Sequence, residues 1–428
     1  MTAATLPVPT VAMPARESPL LAGVALSSFS ALLLELALTR LFSVVLFYHF
    51  AFLAISVALL GLGAGGVFAH LWRRALSRWN LRTLGSGLCA VSAVSVVLVL
   101  EVVLHTRVPL QLSYRSFRGL TVLYLSCAVP FFLTGLLFSV AFARNPGRIS
   151  RLYGADLTGG ALACLAVVPL LDHLGGPNTV LLAATAMAVS SVVWAESQKS
   201  KWLAVALSAL LAILVVANSV LAFIDVVYAK GERRQDKVAI EFTRWNAISR
   251  VEVDRQSDGA RYVVIDADAS TAIMNVDPRQ GPDSQAQRWL MQAAPAVSNV
   301  LRPHGTFAII GPGGGVDVLR AVVNGSPHVT GIEINPIIVD DVMRGRYAEY
   351  SYHLYDIPQV TIHNGDGRAF IRNSNDRYDV VQMTLVDTWA STAAGAFALS
   401  ENNLYTVEAF REYFEHLKPD GMIAITRW

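Results

Sequence analysis

Read for hydrophobic and polar positions, the 428-residue chain falls into two unlike halves. Apolar runs near 19–38, 44–69, 83–104, 119–143, 153–172, 177–195 and 202–224 are each close to the ~20 residues a bilayer-spanning helix needs. They predict about seven helices, apolar all round, over 19–224. Beyond that the runs shorten and begin to alternate. VEVD (251–254) and YVVID (262–266), joined by SDG (257–259), predict a β-hairpin. Helical spacing returns over 284–300. A strand follows at Thr306–Ile310, a glycine turn at Gly311–Gly315, and a helix from about 316. Further strands are predicted at Val329–Ile334, VTIH (360–363), YDVVQM (378–383) and, after the turn LKPDG (417–421), Met422–Thr426. Strands alternating with helices predict a parallel, Rossmann-like α/β sheet.

The expected architecture is therefore a tail over 1–18 and a multi-pass α-helical membrane domain over 19–224. A small β-hairpin module with its linker follows over 225–282, and a Rossmann-like domain over 283–428. Composition sharpens the division. Hydrophobic residues make up 54% of the chain and charged residues 15%, with a mean hydropathy of +0.46, as in polytopic membrane proteins. Residues 1–224 carry 14 Lys/Arg against 6 Asp/Glu, a net of +8; residues 225–428 carry 20 against 26, a net of −6; the two sum to the chain's +2. An acidic soluble half excludes a basic nucleic-acid footprint. The tail has neither a basic n-region nor a cleavage site. Cys89, Cys127 and Cys164 stand inside apolar runs, with no disulfide framework and no metal-ligand spacing.

Charge also bears on sidedness. Arginines cluster at 73, 74, 78 and 82, and again at 144, 148 and 151. The positive-inside bias makes both loops cytoplasmic. With seven helices that puts the acidic half outside, whereas a cytosolic metabolite as ligand requires it inside. The expectation is a multi-pass protein of a bacterial-type inner or plasma membrane with its soluble domain cytoplasmic. Glu35 and Asp156 fall inside apolar runs. A carboxylate at membrane depth is costly unless paired, so each is a candidate site residue or a structural partner of Arg40, Arg151 or a tyrosine.

Chemistry concentrates in IIGPGGGVDVL (309–319). Gly311 and Gly313 fit G-x-G-x-x-G, but Val316 stands at the third glycine, so the strict dinucleotide pattern fails. G-x-G-x-G, through Gly311, Gly313 and Gly315, fits the looser turn of S-adenosylmethionine-type folds. Glu333, in GIEINP (331–336), follows the next strand, where an acid can accept both ribose hydroxyls. Asp366, in NGDGR (364–368), and Asp387, in LVDTW (385–389), also follow strands. In open α/β sheets ligands bind at the carboxyl ends of strands. One acid there is common because turns favour Asp; three in register with a glycine turn point to a site.

At these residues the chain resembles the spermidine synthase (polyamine aminopropyltransferase) family, specifically its membrane-attached relatives with a class I methyltransferase-type fold. The resemblance covers roughly 245–428. WNAISR (245–250) with the hairpin is similar to that family's small β-domain, and RLF (40–42) and YGADL (153–157) to the relatives' membrane portion. The resemblance implies decarboxylated S-adenosylmethionine as co-substrate, with no metal. It implies that Gly311, Gly313, Gly315 and Glu333 hold the nucleoside, that Asp366 and Gly367 lie at the adenine, and that Asp387 accepts the proton. The chain departs from the family at the amine end. Val316, Asp317 and Val318 stand near the family's Asp-Gly-Gly, Ala390 replaces a second acid, and QAQRWL (285–290) lacks its Tyr-His-Glu segment. Sheets of this type add two strands beyond the fifth, so the C-terminal sheet is expected to be truncated or its edge covered.

Three functions remain open at this level. The first is transfer of an aminopropyl group to an amine acceptor, with Tyr378 or Tyr405 orienting the amine. The second is a methyltransferase using S-adenosylmethionine, and the third a transporter or sensor carrying a nucleoside-binding domain. Expected partners are a polyamine acceptor, membrane lipid and a homo-oligomeric copy, and no nucleic acid.

Overall fold

The structure is a computed structural model that describes residues 18–46, 53–109, 113–234, 238–386 and 403–427. Its first part holds six helices long and apolar enough to cross a membrane. With the short α3 (Arg73–Leu76) they are α1 (Ser18–Val45), α2 (Leu53–Leu71), α4 (Leu81–His105), α5 (Tyr114–Ala143), α6 (Ile149–Trp194) and α7 (Gln198–Leu221). Asn80, Ser113 and Ser197 cap α4, α5 and α7, their side chains accepting from N–H groups left free in the first turn.

α6 is one helix in extent but two in direction. Gly175 has φ 77° and ψ 172°, a conformation open to glycine and to almost no other residue. Pro177 then opens the returning segment, where a missing N–H costs nothing. Thr179 Oγ1 donates to Gly175 O at 2.7 Å and Asn178 Nδ2 to Leu174 O at 3.0 Å, capturing carbonyls the break would strand. Contacts with α1 prove the reversal. Ser28 Oγ reaches Asp156 O at 2.8 Å, while Ser27 Oγ lies 2.9 Å from Ser190 Oγ, 34 residues further along α6. The fifth and sixth apolar runs are thus joined by a hinge of one residue rather than by a loop.

Two ends of the helical domain can be told apart. At one, Arg82 donates to Val193 O and Arg144 to Leu76 O and Trp79 O. At the other, the soluble part is attached. Lys230 N donates to Val45 O at 2.8 Å, Arg107 Nε to Gly231 O at 2.7 Å, and Ala247 N to Asp172 Oδ1 at 2.7 Å. Trp245 packs against Gly175 and Gly176. Arg40 pairs with Asp266 of the soluble part, not with Glu35.

The small module is larger than the expected hairpin. β3 (Ala239–Trp245), β4 (Arg250–Arg255), β5 (Arg261–Ile265) and β6 (Ala269–Ile273) form an antiparallel sheet of four strands in chain order; β4 and β5 are the predicted pair. A two-strand ribbon of β1 (Tyr228–Ala229) and β2 (Glu232–Arg233) precedes it. The expected helix over 284–300 is broken into α8 (Gln285–Leu290), a 3₁₀ turn carrying Pro295, and α9 (Val297–Leu301), because Pro295 has no N–H to continue a ladder.

The third part is a five-stranded parallel sheet of β7 (Phe307–Ile310), β8 (Val329–Glu333), β9 (Val360–Asn364), β10 (Tyr378–Thr384) and β11 (Leu417–Thr426), in the order β11-β10-β7-β8-β9. The order reverses at β7, whose carboxyl end is the usual ligand crevice of such a sheet. The turn expected at LKPDG lies inside β11. Leu417 pairs with Tyr378 and Met422 with Val380, so the intervening residues bulge. α10 (Val316–Val323), α11 (Gly367–Asn373) and α12 (Val407–Glu415) pack on the sheet, and β7 is wholly buried.

Candidate nucleoside site at the carboxyl ends of the strands

The glycine turn leaves β7 through three left-handed glycines, Gly311 (φ 70°), Gly313 (φ 54°) and Gly315 (φ 84°). Only glycine takes up such a run without strain. The turn is also crowded. A Cβ on Gly314 would collide with Ala272 O of β6, and one on Gly313 would stand 3.0 Å from Thr271 Oγ1. The small sheet therefore forms one wall of the loop. Tyr355 Oη donates to Gly313 O at 2.7 Å, from a phenol whose pKa burial pushes well up.

Glu333 ends β8 and is 4% exposed. Its Oε2 accepts from Gly313 N at 3.1 Å and its Oε1 from Asn335 N at 3.1 Å. Burial raises its pKa, and these backbone hydrogen bonds oppose the rise. Each oxygen keeps a further lone pair, so the carboxylate can both hold the loop and accept from a ligand diol. Asp366 stands just beyond β9, where Glu333 pairs with Asn364 and Gly365 N donates to Glu333 O at 2.9 Å. It caps α11, its Oδ1 accepting from Ala369 N at 2.7 Å. Gly367 is required there because a Cβ would run into Ile310.

The structure thus brings Gly311, Gly313, Gly315, Glu333, Asp366 and Gly367 to one end of the sheet. Asp387 lies outside the described residues, as does Ala390. Val386 packs against Gly311, so β10 delivers the chain to the same crevice. Tyr405 Oη reaches Val386 O at 3.5 Å and its ring lies 4.5 Å from the Arg427 guanidinium, which keeps it near that end. Tyr378 does not belong to the site. It opens β10, pairs with Leu417 at the opposite end of the sheet and is buried in the core.

Sequence reading missed Asn335 and Asn246. Asn335 Nδ2 donates to Ser249 Oγ at 2.6 Å and its Oδ1 accepts from Asn246 Nδ2 at 2.9 Å. GIEINP and WNAISR were each visible as motifs; that they touch was not. A chain of contacts now runs from Glu333 through Asn335 and Asn246 to Trp245 and the hinge of α6. Below it lies a buried cluster of charge. Asp266 accepts from Arg250 N at 2.8 Å, Arg250 pairs with Glu252 and Asp225, and Arg234 pairs with Glu252 and, at 2.6 Å, with Asp254.

Fold and strand ends define the class: a Rossmann-like α/β domain with a glycine loop and an acid facing one crevice. Residues 297–427 match the spermine/spermidine synthase domain, so the C-terminal part of the chain is similar to that family. Polyamine aminopropyltransferase 2 of Hyperthermus butylicus is 29% identical over 117 residues, 27% of this chain and 35% of that protein. The chain thus spans about a third of that relative's length. Two crystal structures show lower similarity, a spermidine synthase in complex with the transition state analogue AdoDATO and the spermidine synthase from Thermotoga maritima. They are 19% and 18% identical, each with a TM-score of 0.31, covering 43% of this chain and 55% of theirs.

Proposed function

We propose that the protein is a membrane-bound, spermidine synthase-like transferase that moves an aminopropyl group from decarboxylated S-adenosylmethionine to an amine. The observation that carries this reading is Glu333 in contact with the glycine loop at the switch point of a sheet whose residues match the spermine/spermidine synthase domain. Glu333 accepts the ribose hydroxyls, and Gly311, Gly313 and Gly315 let the backbone close on the nucleoside. Asp366 and Gly367 border the adenine.

The reaction is an in-line displacement. The amine nitrogen forms a bond to the methylene carbon next to sulfur, and the carbon–sulfur bond breaks. The sulfonium leaves as a neutral thioether. An alkylamine of pKa ~10 is mostly protonated at neutral pH, so a base must remove its proton. Asp387, immediately after the segment that meets Gly311, is that base. The polyamine, as a cation, suits an acidic soluble half.

Asp387→Asn is expected to lower turnover by about 10²–10⁴-fold while sparing donor binding, because an amide cannot accept the proton. Product mass spectrometry with the purified full chain, alongside donor calorimetry, measures both. Turnover at the wild-type rate sinks the assignment. Transfer of methyl from S-adenosylmethionine, in place of aminopropyl, selects the methyltransferase reading.

The apolar helices, in this proposal, lie in a membrane. Among the described residues Arg73, Arg74, Arg78, Arg82, Arg144, Arg148 and Arg151 all belong to the end of the helical domain opposite the soluble part. The positive-inside bias then places that end in the cytoplasm and the transferase domain across the membrane. This departs from the cytoplasmic placement expected from ligand supply, and it makes delivery of the donor across the membrane part of the proposed function.

A further inference from the structure

At the arginine end, α2, α3 and α5 enclose a cleft of about 450 Å³. Its lining includes the small residues Gly66, Ala69 and Ala143, whose short side chains leave the space unfilled. Its rim carries His70, Arg73, Ser77, Ser139 and Arg144, and no acid lines it. Arg144 is committed to structure, its guanidinium fork donating to Trp79 O at 2.8 Å and Leu76 O at 2.6 Å, which pins the α3 turn over the cleft. Among the described residues, neither the Arg73 guanidinium nor the His70 ring is engaged by a protein partner. Glu196, an acid at this end, is held by Asn80 Nδ2 at 2.9 Å. A cleft with unsatisfied donors, positive charge and no carboxylate selects an anion.

We propose that this cleft binds a phosphoryl group, presented as the headgroup of an anionic phospholipid or as a free phosphate compound. Its volume falls within the range of small-ligand sites, roughly 300–1,000 Å³. Exposed Trp72 and Trp79 flank α3, and Phe68 stacks on Trp72 at 5.6 Å. Such an aromatic girdle marks headgroup level. Arg73 supplies a planar fork for phosphate oxygens and His70 a ring N–H, with the Ser139 hydroxyl as a further donor; the Ser77 hydroxyl is already spent on Arg74 O at 2.9 Å. Basic pockets between membrane helices on the cytoplasmic side hold anionic headgroups by this chemistry. The inference rests on the membrane reading above.

The test uses the full chain and the variants Arg73→Gln and Arg73→Gln/His70→Gln. Neither residue touches the glycine loop or Glu333, so an unchanged melting profile and adenosyl affinity report intact folding. Each protein is reconstituted in vesicles of phosphatidylcholine alone or with phosphatidylglycerol, and retained lipid is quantified by native mass spectrometry. Inorganic phosphate and glycerol phosphate serve as soluble competitors. Wild type is expected to retain phosphatidylglycerol about tenfold better than the double variant, the loss expected for hydrogen bonds to a charged group. Retention unaffected by the competitors assigns the site to lipid; displacement by them assigns it to a free phosphate compound. Equal retention by wild type and variants, or no preference for phosphatidylglycerol over phosphatidylcholine, overturns the proposal. A chain that fails to float with either vesicle overturns the membrane reading with it.

Discussion

Both oxygens of Glu333 already accept backbone N–H groups, from Gly313 and Asn335. Glu333→Gln therefore does more than remove a charge. The amide has one acceptor oxygen, and its NH₂ must face an N–H donor. Adenosyl-ligand affinity is expected to fall about tenfold or more, since a charged acceptor contributes about 1.5–3 kcal/mol. Calorimetry with the full chain checks this, and unchanged affinity makes Glu333 a loop clamp only. Asp254 offers a pH readout at the same scale. Burial, and then the neighbouring Glu252 carboxylate, raise its pKa from 3.8 to about 6 against the pull of Arg234. Between pH 3.8 and 6 the folded chain holds this proton more tightly than the unfolded one, so its contribution to stability falls as pH rises through that window and is level above it. Asp254→Asn is expected to flatten that part of the stability profile. Parallel wild-type and variant stability profiles from pH 4 to 7 would show that Asp254 takes up no extra proton on folding.

At the scale of elements, the hinge of α6 and the glycine loop depend on backbone that side chains would spoil. Gly175→Ala puts a Cβ 3.1 Å from the Trp245 ring in a backbone region that alanine avoids. A cost of about 1–3 kcal/mol is expected. Because Trp245 adjoins Asn246, and Asn246 holds Asn335, the change should also weaken adenosyl binding in the soluble part. Melting of the detergent-solubilised variant measures the first effect and calorimetry the second. Loss of stability without loss of affinity would show that the contacts from Trp245 to Glu333 carry no coupling. β11 has β10 as its only neighbour in the described sheet, and its residues after Leu417 are half-exposed or exposed.

For the whole molecule the decisive quantity is sidedness. The reversal at Gly175 makes the helical part enter at the arginine end and leave at the soluble end. A cysteine placed on the exposed turn at Ser257 is expected to react with a membrane-impermeant maleimide added outside intact cells, while one at Ser77 reacts only after lysis. The opposite pattern would place the Rossmann-like domain in the cytoplasm. Donor supply would then need no export, and the arginine clusters would need another explanation, since helix parity would stand against the charge bias.

How much of this was legible beforehand depends on the range of the interactions involved. Periodicity and turn chemistry act over a few residues. They located the apolar helices, the β4–β5 hairpin, the alternation of the parallel sheet and the carboxyl ends carrying Gly311–Gly315, Glu333 and Asp366. Residue type alone showed that Val316 rules out the strict dinucleotide turn. Tertiary structure decided what depends on packing between distant segments. Gly175 sits in a sequence that reads as helix on either side, and only the return of Ser190 to Ser27 reveals the fold-back. Arg40 had an acid five residues away, yet Asp266, 226 residues on, reaches it, because a buried guanidinium takes the carboxylate that packing delivers. β3 and β6 were missed because their patterns are weak alone and become strands by pairing with β4 and β5. Tyr378 looked like a site residue because it stands on the right strand. The direction of β10 in the sheet puts it at the wrong end.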